Sequence, residues 1–188
     1  GSGRSELARI IFGLDPSEAG EILLEGEALG GATPRERIRR GLALLTESRR
    51  EDGLFLDWPV DGNLEIVFPE PERVPRIAEM LRLACANLDA QPVQQLSGGN
   101  QQKVALGKWL VRSPKVFVLD EPTRGIDVGA KHEIYRILNQ LAEKGVALLV
   151  VSSEIEELMG ICDRILVMRK GEVQDCFERG RFDREAIL

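Results

Sequence analysis

The sequence predicts an α/β fold with a largely parallel sheet and a small helical insert. Short apolar runs of strand length recur at Leu42–Leu45, Val116–Leu119, Val146–Val151 and Ile165–Met168. Segments with helical periodicity alternate with them, the pattern of strands joined by crossover helices. Between the first two runs the texture changes, because prolines and acidic residues cluster from Pro59 to Pro75.

Each element has its own warrant. Leu7, Ile10 and Ile11 give a short first helix an apolar face, and Gly13 can end it. Glu21–Leu24 reads as a short strand between Gly20 and Gly26. Thr33-Pro34-Arg35-Glu36 is a capping box with proline at the first helical position, opening a helix that stops near Gly41. Glu47 to Asp52 is a charged loop, and Pro59 to Pro75 an irregular connection. Ile77, Met80, Leu81 and Ala84 lie at i, i+3, i+4, i+7 on an amphipathic helix. A helix over Gln101–Arg112 turns Val104 and Trp109 inward. Another carries Ile134, Ile137, Leu138 and Leu141 and ends at Gly145. The expected organisation is one domain over 1–188, with a helical subdomain at about 54–112.

The chain has 188 residues, enough for one domain with a real core. Its net charge of -6 disfavours a nucleic-acid surface. Cys85, Cys162 and Cys176 have no C-x-x-C spacing and read as buried or incidental thiols in a reducing compartment. No apolar run reaches the ~20 residues that span a bilayer, and no signal-peptide pattern opens the chain. A membrane link is therefore expected to come through a partner.

Two segments carry chemistry. Leu96-Ser97-Gly98-Gly99-Asn100-Gln101-Gln102-Lys103 is a Ser-Gly-Gly turn opening a helix, where backbone N–H groups can face a phosphate. Taken alone it is also a plain helix cap. The strand ending Leu119-Asp120 is followed by Glu121-Pro122-Thr123. Asp120 at a strand end can hold a magnesium ion, and Glu121 can orient or deprotonate a water. Two adjacent acids are often only solvated. The Pro-Thr that follows and the Ser-Gly-Gly upstream favour the catalytic reading.

Together, Leu96–Val104 and the run Asp120-Glu121-Pro122-Thr123-Arg124-Gly125-Ile126-Asp127-Val128-Gly129-Ala130-Lys131 resemble the signature motif, Walker B strand and D-loop of ABC-type ATPases. They are most similar to the second ATP-binding half of bacterial carbohydrate importers of the ribose, galactose and xylose type. The resemblance continues through Val151-Ser152-Ser153-Glu154 and Asp163–Met168 and covers essentially the whole chain. It implies a RecA-like P-loop core with a small helical subdomain, ATP and Mg2+ as ligands, and ATP hydrolysis coupled to sugar import. The implied partners are a second cassette, in the same polypeptide or as a dimer mate, transmembrane permease subunits and, indirectly, a sugar-binding protein. The implied location is the cytoplasmic face of the bacterial inner membrane, with no nucleic acid.

Carried over residue by residue, the resemblance assigns Gly3, Arg4 and Ser5 to the end of the P-loop, G-x-x-x-x-G-K-[ST], with arginine in place of lysine. Gly1 and Ser2 also fit it. The first glycine, the strand before it and the adenine-stacking residues are not in this sequence, and an open sheet edge and self-association are expected in consequence. Ser5 and Asp120 would hold the metal, Glu121 would act on water, and Asp127 would cross to the other cassette. Glu47 falls at the usual glutamine of the Q-loop and Ser153 at the usual switch histidine. The only histidine, His132, reads as a surface residue.

Arginine is a planar fork where lysine is a compact charge, and a lost histidine removes a γ-phosphate contact. The chain's own pocket is thus expected to be weak, with Ser97, Gly98 and Gly99 as its main contribution, offered in trans. The alternatives are a non-hydrolysing regulatory or structural cassette, a nucleoside-type importer, and a repair or translation ATPase. The acidic pI and the Arg124–Ala130 run disfavour the last of these.

Overall fold

The computed structural model describes residues 2–187, so Gly1, assigned above to the P-loop region, lies outside the described residues. The chain runs α1 (Arg4–Phe12), β1 (Leu23–Leu24), β2 (Glu27–Ala28), α2 (Pro34–Arg39), β3 (Leu42–Leu45), α3 (Val60–Glu65), α4 (Val74–Met80), α5 (Gly98–Leu110), β4 (Val116–Asp120), α6 (Val128–Glu143), β5 (Ala147–Val151), α7 (Ile155–Ile161), β6 (Arg164–Arg169), β7 (Glu172–Glu178) and α8 (Arg184–Ile187).

The centre is a three-stranded parallel sheet of order β3-β4-β5. Register pairs Leu45 with Leu119 and Asp120 with Val151, so these strands end level with one another. Phe117, Val118 and Leu119 of the middle strand are fully buried. Parallel strands covered on both faces read as continuous apolar runs, which is why three of the four predicted runs belong to this sheet. α1 and α6 pack against the sheet, and α5 lies against β3 and α6.

Several expectations are corrected. The first helix buries Ala8 and Phe12, while Leu7 is exposed. In nine residues two apolar stripes overlap, and Phe12, edge-on to Trp109 at 5.7 Å, decides between them. The Glu21–Leu24 strand shrinks to Leu23–Leu24 in a small antiparallel hairpin with Glu27–Ala28. The Ile165–Met168 run lies in a separate antiparallel hairpin of β6 with β7, a mostly exposed strand that the sequence reading missed. The charged loop contains a π-helical turn over Arg49–Gly53. The Pro59–Pro75 stretch holds α3, which buries Val60, Asn63 and Leu64. Asn63 makes that possible: its amide bonds the backbone of Phe55 in both directions, at 2.8 and 2.9 Å. α4 ends at Met80, because Arg82 takes a left-handed φ of 49°, and Ala84 falls outside it.

Other expectations hold. The Thr33–Glu36 capping box forms in both directions, a feature worth about 1 kcal/mol. Val104 and Trp109 are buried and His132 is exposed. Gly145 stops α6 with a φ of 86°.

α3 and α4 meet α5 at Gly107. A Cβ there would lie 2.6 Å from Leu64 Cδ2 and 2.8 Å from Leu81 Cδ1. Gly107→Ala gains about 1 kcal/mol of helix propensity but overpacks at roughly 1–3 kcal/mol. A net loss is expected, read as a fall in Tm of about 2–4 °C. β5 pairs with β4 alone among the described residues, and its Leu148–Val151 are only half-buried. Unpaired strand edges recruit other strands. Light scattering on the isolated chain is therefore expected to show species above the monomer; a monodisperse, cooperatively melting monomer would contradict this.

Candidate functional site: the ends of the parallel strands

Three parallel strands that end together bring the loops after them to one edge. Asp120 is the last residue of β4 and is 5 % exposed. Burial pushes its carboxyl above the ordinary aspartate range; the nearby Ser5 hydroxyl and Arg4 guanidinium pull it partly back, and Glu6 raises it again. Its Oδ1 is buried without a hydrogen-bond partner among the described residues. Gly3 enters α1 with a φ of 90°, a conformation that glycine adopts without strain. A Cβ at Gly3 would also lie 2.8 Å from Gly171 Cα, so the turn between β6 and β7 closes over this position. Arg4 donates from Nη1 to the Ser152 carbonyl at 2.8 Å.

An orphaned, buried carboxylate oxygen beside a serine hydroxyl is a hard-oxygen donor set. Among the described residues no group of three His, Cys, Asp or Glu side chains forms a metal cage. One carboxylate and one hydroxyl suit Mg2+, which keeps waters and substrate phosphate oxygens as its other ligands. The residues present therefore fit that ion.

Glu121 follows Asp120 with a φ of 50°, rare for a residue with a Cβ. Its N–H donates to the Val151 carbonyl at 2.8 Å, which pins the turn to the end of β5. Ser153, one residue past Ser152, is exposed. Glu47 pairs through its carboxylate with Arg124.

The Ser-Gly-Gly segment forms a second grouping. Ser97 caps α5 and accepts from Asn100 N–H at 3.4 Å and Asn100 Nδ2 at 3.0 Å. A Cβ at Gly99 would lie 2.5 Å from Ala130 Cβ, so α5 and α6 touch there through small residues. Asp127 caps α6 by accepting from Ala130 N–H at 2.9 Å. The structure thus brings Gly3, Arg4, Ser5 and Asp120 together, and sets Ser97, Gly98 and Gly99 apart near α6. No described hydrogen bond joins the two groups directly.

Sequence reasoning missed the residues that connect them. Buried Gln102 donates to the Pro122 carbonyl at 2.7 Å, and Arg49 donates to the carbonyls of Arg124 and Gly125 at 3.0 and 3.3 Å. Glu157 accepts from Thr123 and Ser152. Gln102 sat inside a quoted motif without a role. Arg49 and Glu157 carried no local signal, since both look like surface charges in the sequence.

Comparison with known proteins identifies the fold and the family. A solved nucleotide-free ATP-binding cassette from an ABC transporter superposes with a TM-score of 0.85 at 23% identity, over 95% of this chain and 77% of that one. A dimeric ATP-binding cassette in a post-hydrolysis state, bound to ADP and Pi, superposes at 0.79 and 24% identity, over 94% and 81%. The fold is therefore that of an ATP-binding cassette, RecA-like with a helical insert. The sequence profile of the family described as ABC transporter matches residues 1–124. The chain belongs to the ABC transporter family. It is 45% identical over 202 residues to the ribose import ATP-binding protein RbsA 3 of Rhizobium meliloti, matching all of this chain and 40% of that protein. It is 49% identical over 185 residues to RbsA 2 of Burkholderia pseudomallei, covering 92% and 36%. The chain thus spans about 40% of the length of the curated relatives it matches.

The buried charge of Asp120 yields a stability prediction. A raised folded-state pKa means that the folded chain holds the proton more tightly than the unfolded one, so stability falls as pH climbs above 3.8, the ordinary value. Asp120→Asn removes that cost. It is expected to raise Tm near neutral pH by about 2–4 °C, and the gain should vanish in acid below that ordinary value. Differential scanning calorimetry across pH reads both.

Proposed function

We propose that this chain is an ATP-binding cassette that binds ATP and helps hydrolyse it to drive sugar import through a membrane partner. The observation that carries the reading is the convergence of Arg4 and Ser5 on Asp120, a buried carboxylate with an unpartnered oxygen, immediately before Glu121. The names of the relatives supply the transported class, since they are ribose import proteins. They are also far longer than this chain, so the complete importer holds more than the described residues.

In this reading Gly3 and the first turn of α1 aim N–H groups at the phosphates. Arg4 adds positive charge there. Ser5 and Asp120 would hold Mg2+, which when bound would neutralise charge on the transferring phosphoryl group. Glu121 orients the attacking water and takes its proton. Ser153 offers a hydroxyl where a γ-phosphate contact is needed. Glu47, on the loop after β3, is the link toward the permease.

Ser97, Gly98 and Gly99 serve a different nucleotide. They stand apart from the chain's own Gly3–Ser5, and they open a helix of 13 residues whose N-terminus favours an anion. They clasp the γ-phosphate of ATP held by a second cassette, and Asp127 lies where the two cassettes cross. The partners are that cassette, transmembrane permease subunits and, indirectly, a sugar-binding protein, at the cytoplasmic face of the bacterial inner membrane.

The test mixes variants of this cassette with its partner cassette and measures phosphate release. Ser97→Ala is expected to lower hydrolysis by about tenfold or more, as loss of an anion donor does. Arg4→Ala should lower it by only about threefold on the same scale. Equal or reversed effects overturn the asymmetry. Glu121→Gln is expected to abolish the turnover that remains at the chain's own site.

A further inference from the structure

Glu157 on α7 is 5 % exposed, and a carboxylate so deep persists only with its oxygens hydrogen-bonded. Each oxygen accepts one hydroxyl: Thr123 Oγ1 donates to Oε1 at 2.8 Å, and Ser152 Oγ donates to Oε2. Thr123 and Ser152 are themselves 1 % and 2 % exposed. The two hydroxyls come from different turns. Thr123 lies two residues beyond Glu121, in the turn after β4. Ser152 follows the last residue of β5 and immediately precedes Ser153.

The network extends on both sides. Ser152 Oγ accepts from Glu154 N–H at 3.0 Å, and the Ser152 carbonyl accepts from Arg4 Nη1 at 2.8 Å. A glutamine would present one acceptor and one donor to the two hydroxyls; only a carboxylate accepts from both. Linked hydrogen bonds that all point one way reinforce each other in a buried site. The turn they hold needs holding, since Glu121 sits in a left-handed conformation that a Cβ disfavours. The arginine at position 4 also acquires a use here. Its fork can hold a carbonyl with one nitrogen and leave others for an anion, which a lysine does less well.

We propose that Glu157 is a positioning residue. By accepting Thr123 and Ser152 at once, it fixes the spacing between the turn that carries Glu121 and the turn that carries Ser153. Through Arg4 on the Ser152 carbonyl, it ties both turns to Gly3–Ser5. Its effect on turnover rests on the reading of these residues as a nucleotide site.

The experiment uses the full-length protein and compares Glu157→Leu, Glu157→Gln, Thr123→Val and the double variant Glu157→Leu/Thr123→Val. The first readout is amide hydrogen exchange at Glu121, Arg124 and Glu154. Folded Glu157→Leu is expected to speed exchange at both turns by about tenfold, with β3 and β4 unchanged. Unchanged exchange at either turn overturns the brace. The second readout is steady-state ATP turnover. Glu157→Leu should lower kcat by no more than about threefold, the loss expected at the chain's own site, with KM for ATP moving less than about twofold. Glu157→Gln should lose less, and Thr123→Val should cost nothing further once Glu157 is leucine. A raised KM with unchanged kcat, or additive losses, overturns the positioning role. Wild-type turnover in Glu121→Gln would sink the hydrolytic reading, and the exchange data would still decide the brace. If Glu157→Leu does not fold, Thr123→Val and Ser152→Ala each remove one hydroxyl and carry both readouts.

Discussion

Parallel pairing of β4 with β3 on one side and β5 on the other sets almost everything else in this molecule. The two ladders share β4, and register brings Leu45, Asp120 and Val151 to the same edge. Because parallel strands all run one way, the loops that leave them emerge together. Glu47, Glu121 and Ser153 are far apart in the chain and sit on three loops at one edge for that reason alone. The buried apolar middle of β4 supplies the rigidity that a site at its end requires.

Polar side chains then hold that edge in place. Hydrophobic contact fixes where a helix lies to within a rotation and a slide, but it does not fix the path of a turn. Here the turn after β4 is fixed by directional bonds from three elements: Gln102 on α5, Arg49 after β3, and Glu157 on α7. Glycine plays the complementary part. Where α5 meets α6 at Gly99 and Ala130, any larger side chain would push α6 away from the helix that carries Gln102. The site is therefore a set of strand ends placed by the sheet, with turns whose shapes are set by buried hydrogen bonds.

Asp120 illustrates the tension between burial and chemistry. A carboxylate at 5 % exposure costs stability when ionised, and the chain offsets only part of that cost with Ser5 and Arg4. A group that is uncomfortable alone gains most from a cation, so the strain is a form of preorganisation. The same trade is visible at Glu121, whose backbone is held in a disfavoured conformation by its bond to β5.

The sequence by itself determined the fold class, because buried parallel strands and amphipathic helices write their periods directly into the residues. It determined the capping box at Thr33, the runs of β3, β4 and β5, and the local signals at Ser97–Gly99 and Asp120–Glu121, all of which depend on neighbours a few positions away. It named Arg4 and Ser5, yet it did not indicate that Arg4 holds the Ser152 carbonyl. It read Ile165–Met168 as one more apolar strand, and only the fold showed it leaving the parallel sheet for a hairpin with β7. It also passed over Glu157, Arg49 and Gln102. Their importance comes from groups dozens of residues away, and a charged or amide side chain looks the same in a sequence whether water or a buried turn receives it. Tertiary structure decided those cases, since desolvation and hydrogen-bond direction exist only once the chain has closed around them.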